Sequence, residues 1–133
     1  MDLIPGMQAT ASALEAHKTR LEAITQNIAN ANTTRGPDGL PYQRQVVSFA
    51  SVMDANGPQG VVISGVGVDN TPGQVIHNPS HPHADANGMV RMPNVSMSVE
   101  MVDMLMASRA YEANLSAAKT ARQMAERALE IGR

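Results

Sequence analysis

No cysteine occurs in these 133 residues, which excludes disulfides, thiolate metal sites and cysteine nucleophiles. Tryptophan is absent too, and Phe49, Tyr42 and Tyr111 are the only aromatic side chains of their class. A chain of this length could bury a respectable core, but the large anchors of such a core are missing. Ten Lys and Arg stand against 12 Asp and Glu, with no basic cluster and no aromatic platform for bases, which argues against nucleic acid as a partner. No apolar run approaches the roughly 20 residues that cross a bilayer. The opening MDLIPGM has neither a basic start nor a continuous apolar block ending in a cleavage site. The expectation is a chain that stays in the cytoplasm or leaves by a route that cleaves nothing.

What is abundant is Met, ten residues of it, together with Ala. These are adaptable and small contacts, suited to repeated association more than to one rigid core. The C-terminal stretch Ser98–Ile131 contains no Gly or Pro and reads as one long helix. Met101, Leu105, Ser108, Tyr111, Leu115 and Ala118 recur in alternating steps of three and four. A second line of Ala117, Ala121, Met124, Ala128 and Ile131 continues on a rotated face, so the helix suits more than one neighbour.

A second helix is expected from Gly6 to Asn30, with Pro5 tolerated at its start. Met7, Leu14, Leu21 and Ile28 fall seven apart, with Thr10, His17, Ile24 and Ala31 at the companion positions. Each terminal helix has an apolar stripe that it cannot bury alone. They are expected to pair with each other and with copies of the molecule, leaving much of both termini disordered in the free subunit.

Asn27, Asn30 and Asn32 interrupt the helical surface where the first helix should end, because such side chains bond nearby backbone. Gly36, Pro37, Gly39 and Pro41 then make turns. From Tyr42 the period becomes two, predicting a strand of about ten residues, a turn at Asn56-Gly57-Pro58 and a second strand over Gly60–Val68 paired with the first. A short extended piece at Gln74–His77, a Pro-punctuated loop at 78–88 and a last strand at 89–92 complete the middle. Ser96 or Ser98 is the expected N-cap, with Glu100 favouring the helix start. The fold class is thus α+β: long N- and C-terminal helices pairing as an antiparallel coiled coil over 1–32 and 96–133, with a small central β-hairpin module over 33–95.

Chemistry is hard to find in this pattern. His77, His81 and His83 share one loop with Asp85, yet the spacing matches no closed metal site, and a surface turn outranks a metal centre. Glu100 and Asp103, at i and i+3 in a first helical turn, read as an answer to the helix dipole and not as an acid–base pair. No nucleophile elbow, phosphate-cradling loop or dinucleotide fingerprint is present. No catalytic, cofactor or metal residues are assigned. The residues assigned to assembly are Met7, Leu14, Leu21, Ile24, Asn27, Ile28, Asn30 and Asn32 on the first helix, and Met101, Leu105, Tyr111, Leu115, Ala118, Met124 and Leu129 on the last. Three function classes remain open: a polymerising structural subunit, a helical adaptor that binds one partner's coiled coil without polymerising, and a small enzyme using the His loop.

Two segments carry a family resemblance. QNIANANTTRGPDGLPYQRQ at 26–45 resembles the N-terminal signature of bacterial flagellar axial and rod proteins, in the form found in the proximal rod. The stretch from Asn78 to Arg133, with MPNV, EMVDM, SRAYEAN and the closing IGR, is similar to the C-terminal half of the same family. Asn78, His83 and Met89 depart from the family pattern, and the segment between Val68 and Gln74 is short. The resemblance implies a non-enzymatic building block of the flagellar basal body, exported by the flagellar type III apparatus without a cleaved signal peptide. It further implies helical assembly into the periplasm-spanning drive shaft for motility. Its implied partners are copies of itself, neighbouring proximal and distal rod subunits, the adaptor protein at the rod base and the export apparatus.

Overall fold

In the computed structural model, which describes residues 3–132, six elements follow one another. They are α1 (Leu3–Ala29), β1 (Gln45–Asp54), β2 (Gly57–Val68), β3 (Val75–His77), β4 (Met89–Arg91) and α2 (Met97–Ile131). Met1, Asp2 and Arg133 lie outside the described residues, and with them the outer ends of the expected 1–32 and 96–133 segments and the last residue of the closing motif. The architecture is α+β: two long terminal helices pack on each other, and two small antiparallel hairpins fill the middle.

At ~1.5 Å per residue, the 27 residues of α1 and the 35 of α2 make rods of about 40 and 50 Å. α1 begins earlier than the expected Gly6, so Pro5 stands in the first turn, where its missing N–H would have had no intrahelical acceptor. The two helices run antiparallel, Asn27 near the end of α1 meeting Glu100 in the first turn of α2. Ser96 is the N-cap by backbone conformation, but its side chain makes no capping bond.

The seam that α2 turns inward differs from the expected one. Glu100, Met104, Ala107, Tyr111, Asn114, Ala118, Ala121 and Ala125 form its spine in alternating steps of four and three, flanked by the half-buried Asp103, Ser108 and Ala110. Of the predicted stripe, Tyr111 and Ala118 lie in this seam and Ser108 beside it, and Ala121 of the second line joins them, whereas Met101 and Leu105 face outward at 57% and 53% exposure. Side-chain size misled the prediction: Ala107, fully buried, lets the helix backbones approach, and larger residues at the contact would hold them apart.

β1 and β2 form a hairpin that lies on α1, with Phe49 edge-on to His17 at 6.2 Å and the Val61 N–H donating to Ser12 Oγ at 3.1 Å. Its turn is Ala55-Asn56, and Gly57 already pairs with Asp54, so β2 starts three residues before the expected Gly60. β2 has 12 residues to the 10 of β1, and the two extra ones are bulges at Gln59 and Ser64. Each bulge increases local twist and helps the ribbon follow the helix. Gly60, at φ +142°, lies so close to α1 that a Cβ would meet Ser12 Oγ and approach Ala9 Cα to 3.3 Å. The small second hairpin pairs Val75 with Arg91 and His77 with Met89, and buries Val90.

Candidate assembly site

The last turn of α1, the segment leading into β1 and the first turns of α2 converge on one polar cluster. The loop after α1 delivers its middle part. Tyr42 N–H donates to the Thr33 carbonyl at 3.0 Å and Gly36 N–H to the Leu40 carbonyl at 2.7 Å. Gly39, at φ +77°, closes the turn between them with a conformation that few other residues accept. Residues 42–45 are thereby returned alongside Asn27.

Asn27 is 1% exposed and uses its amide completely. Its Oδ1 accepts from the Gln45 N–H and from the Tyr42 hydroxyl, both at 2.8 Å, and its Nδ2 donates to the Gln45 carbonyl at 3.0 Å and to Glu100 Oε2 at 3.2 Å. The side chain thus pairs with the Gln45 backbone as a neighbouring strand would, while its other contacts tie in the loop and α2. Asn30 behaves as expected, donating to the Gln26 carbonyl at 2.9 Å. Asn27 does not: its partners lie 15 to 73 residues away in sequence.

Arg44 supplies the charge that Glu100 needs. Its Nε pairs with Glu100 Oε1, and Nη2 lies 3.2 Å from Asp103 Oδ2, whose other oxygen is 3.8 Å from Arg20. Glu100 is fully buried, a position a carboxylate tolerates only when paired and hydrogen-bonded. The two acidic residues read as dipole partners are therefore ligands of an arginine on another segment. The hydrogen bond to Glu100 raises the Arg44 pKa further, and burial first, Glu100 second, raise that of Tyr42, which stays a neutral donor. On the far side, Asn94 Oδ1 accepts from the Arg44 N–H at 2.7 Å, and its Nδ2 donates to the Asp69 and Thr71 carbonyls at 2.8 and 2.9 Å. One network of side-chain hydrogen bonds joins both helices and the approach to each hairpin.

The His loop packs on the segment after α1: His83 Nδ1 and Thr34 Oγ1 are 2.7 Å apart, and the His83 N–H donates to His81 Nδ1 at 3.0 Å. Among the described residues no three His, Cys, Asp or Glu side chains converge as metal ligands do.

The assigned assembly residues divide by exposure. Ile24 and Asn27 are buried; Leu14, Leu21, Ile28, Asn30, Tyr111 and Ala118 are half-buried; Met7, Asn32, Met101, Leu105, Leu115, Met124 and Leu129 are exposed. Asn27 is the one that the cluster recruits. Tyr42, Arg44, Asn94, Glu100 and Asp103 were missed, although an Arg at the end of the turn-rich segment and two carboxylates at i, i+3 were a readable pairing of opposite charge.

Two family profiles match the chain, "Flagella basal body rod protein" over residues 7–37 and "Flagellar basal body rod FlgEFG protein C-terminal" over 86–131. Both arms of the polar cluster fall within or beside these ranges. The flagellar basal-body rod protein FlgC of Agrobacterium fabrum is 40% identical over 124 residues, covering 90% of this chain and 88% of that protein. FlgC of Salmonella typhimurium is 39% identical, covering 91% of each, and that of Bacillus subtilis 33% identical over the whole of both. The chain belongs to the FlgC family of flagellar basal-body rod proteins. It is a structural subunit of the basal-body rod, as the resemblance implied. In FlgC terms, α1 with its signature loop and α2 with its β4 approach are the two profile-matched arms, and the Asn27, Arg44 and Glu100 cluster is where they meet.

Proposed function

We propose that this FlgC-family subunit adds to a growing helical rod through its terminal helices, residues 1–32 with 96–133, while residues 33–95 form a separate outer module. The supporting observation is the outward face of α2. Met97, Met101 and Leu105, with Val99, Val102 and Met106 beside them, form an exposed apolar strip along the half of α2 nearest the polar cluster. Contiguous apolar surface of this kind is uncommon on a solitary soluble chain and marks an interaction site. Met101, Leu105, Leu115, Met124 and Leu129 are then contacts to neighbouring subunits, and the inward seam holds the subunit's own helices.

In this reading the partners are copies of the chain, neighbouring proximal and distal rod subunits and the adaptor at the rod base, delivered by the flagellar export apparatus without a cleaved signal. The rod spans the periplasm, and the subunit performs no catalysis and needs no cofactor. No helix is long and apolar enough to cross a membrane among the described residues. The polar cluster keeps the two chain ends in register where the module joins them, and neighbours complete the order of the far halves of α1 and α2.

Leu105→Asp tests the assignment. Leu105 is largely exposed in the subunit, so the change costs the free protein no more than about 0.5 kcal/mol. The variant is expected to fold normally by circular dichroism yet to be missing from isolated basal bodies and to leave cells non-motile. Normal incorporation and motility would count against the α2 strip as the assembly face.

A further inference from the structure

We propose that the tip of the β1–β2 hairpin of one copy docks in the groove between the signature loop and the second hairpin of the next copy. This rests on the polymerising reading above and specifies which part of the central module makes the contact. The groove is a cavity of about 470 Å³ with Leu40 and Pro41 on one wall and Val75 and Met92 on the other. Leu40 is 57% and Val75 49% exposed, so nothing among the described residues fills it. Arg91 stands at its rim and has no ion-pair partner among the described residues.

The hairpin tip has the complementary character. Residues 50–56 are all exposed, and Met53, at 69%, is the most exposed large apolar residue of the hairpin. An unbranched thioether adapts to an irregular apolar slot. Asp54 follows it, engaged among the described residues only with the N–H of Asn56 at 2.7 Å on one oxygen and so able to face a cation with the other. Met53 entering between Leu40 and Val75 would bring Asp54 toward Arg91.

Position excludes self-docking. β2 leaves the tip at Gly57 and ends at Val68, two residues before Asn70 of the groove lining, so tip and groove are separated by the ten-residue length of β1, about 33 Å. A contact between unlike surfaces at opposite ends is heterologous, and repetition of it produces a ring or an open helix, not a closed twofold dimer.

The absence of native cysteine allows a direct test. Met53→Cys and Leu40→Cys variants are co-expressed, basal bodies are isolated, and a mild oxidant is added. Disulfide-linked dimers joining the two variants are expected in the co-expressing cells and in neither single strain. Val75→Cys, on the opposite wall, serves as a second acceptor if Leu40→Cys does not fold. Adding Arg91→Asp to the acceptor is expected to lower dimer yield about threefold, the size of one exposed ion pair, and Asp54→Arg on the donor to restore it. Basal bodies that contain both variants but give no dimer overturn the docking and leave the rod reading standing. Cross-linking of Leu40→Cys, carrying a photoreactive group, to a different rod protein overturns it likewise. Absence of even the unaltered chain from basal bodies overturns both.

Discussion

Glu100→Gln is the sharpest probe of the polar cluster, because it keeps the shape of a fully buried side chain and removes its charge. In the native arrangement one carboxylate oxygen faces Arg44 Nε and the other Asn27 Nδ2, so both neighbours are donors. A glutamine must turn its own NH2 toward one of them, leaving two donors face to face and Arg44 without its main counter-charge. Breaking a buried pair from one side costs about 3–5 kcal/mol. Arg44 keeps Asp103 at 3.2 Å and is 24% exposed, which places the expected loss at the lower end, about 3 kcal/mol. For a chain of this size that corresponds to a fall in Tm of about 10 °C. Urea unfolding followed by circular dichroism gives the free energy, and a double-mutant cycle with Arg44→Met isolates the coupling, expected to be about 2 kcal/mol. Asp103→Asn, at a half-exposed position, should cost about 1 kcal/mol or less. A Glu100→Gln protein within about 0.5 kcal/mol of the wild type would show that the cluster does not hold the helices together.

His17 gives a pH dependence. Its Nδ1 is buried without a hydrogen-bond partner among the described residues, and burial first, then the charge of Arg20, lowers its pKa below 6.5. The unfolded chain therefore binds the proton first, so stability is level above pH 6.5 and declines as pH falls below it. His17→Phe should reduce that slope in unfolding measured between pH 7.5 and 5.5; the slope that persists belongs in part to His83, which shifts the same way. Gly73→Ala should cost about 2 kcal/mol, because a Cβ there would land on the Met92 carbonyl oxygen and come within 2.9 Å of the Pro93 carbonyl carbon. An unchanged urea midpoint would contradict the close approach of these backbones. In amide exchange on the dilute subunit, protection should be strongest near Asn27 and Glu100 and weak from Met7 to Lys18, rising there only in assembled rods. Uniform strong protection of α1 in the dilute protein would refute ordering by neighbours.

Much of the architecture was legible from local pattern. Helices need only a supply of good formers and a 3.6-residue period, so α1 and α2 were found to within a few residues at each end. The change to a period of two marked β1 and β2, and glycine and proline marked the turns. The bulges at Gln59 and Ser64 were not visible, because a bulge depends on which residue the partner strand offers opposite. Size ranking also failed on α2, where Met101 and Leu105 looked like seam and Glu100 and Asn114 did not. Hydrophobicity predicts burial on average, but a carboxylate can occupy a seam when a distant arginine and an amide neutralise and satisfy it.

By itself the sequence determined the α+β plan, two striped terminal helices with a small β module between them, and through its motifs the rod family. These follow from interactions between residues near one another in the chain, or from patterns carried whole within one segment. The tertiary structure alone decided which stripe turns inward and which residues bind the ends together. Asn27 and Glu100 are 73 positions apart and Arg44 and Glu100 56 apart, and only a folded chain brings them into contact. Burial of a charge is a property of that meeting, not of any single residue in it.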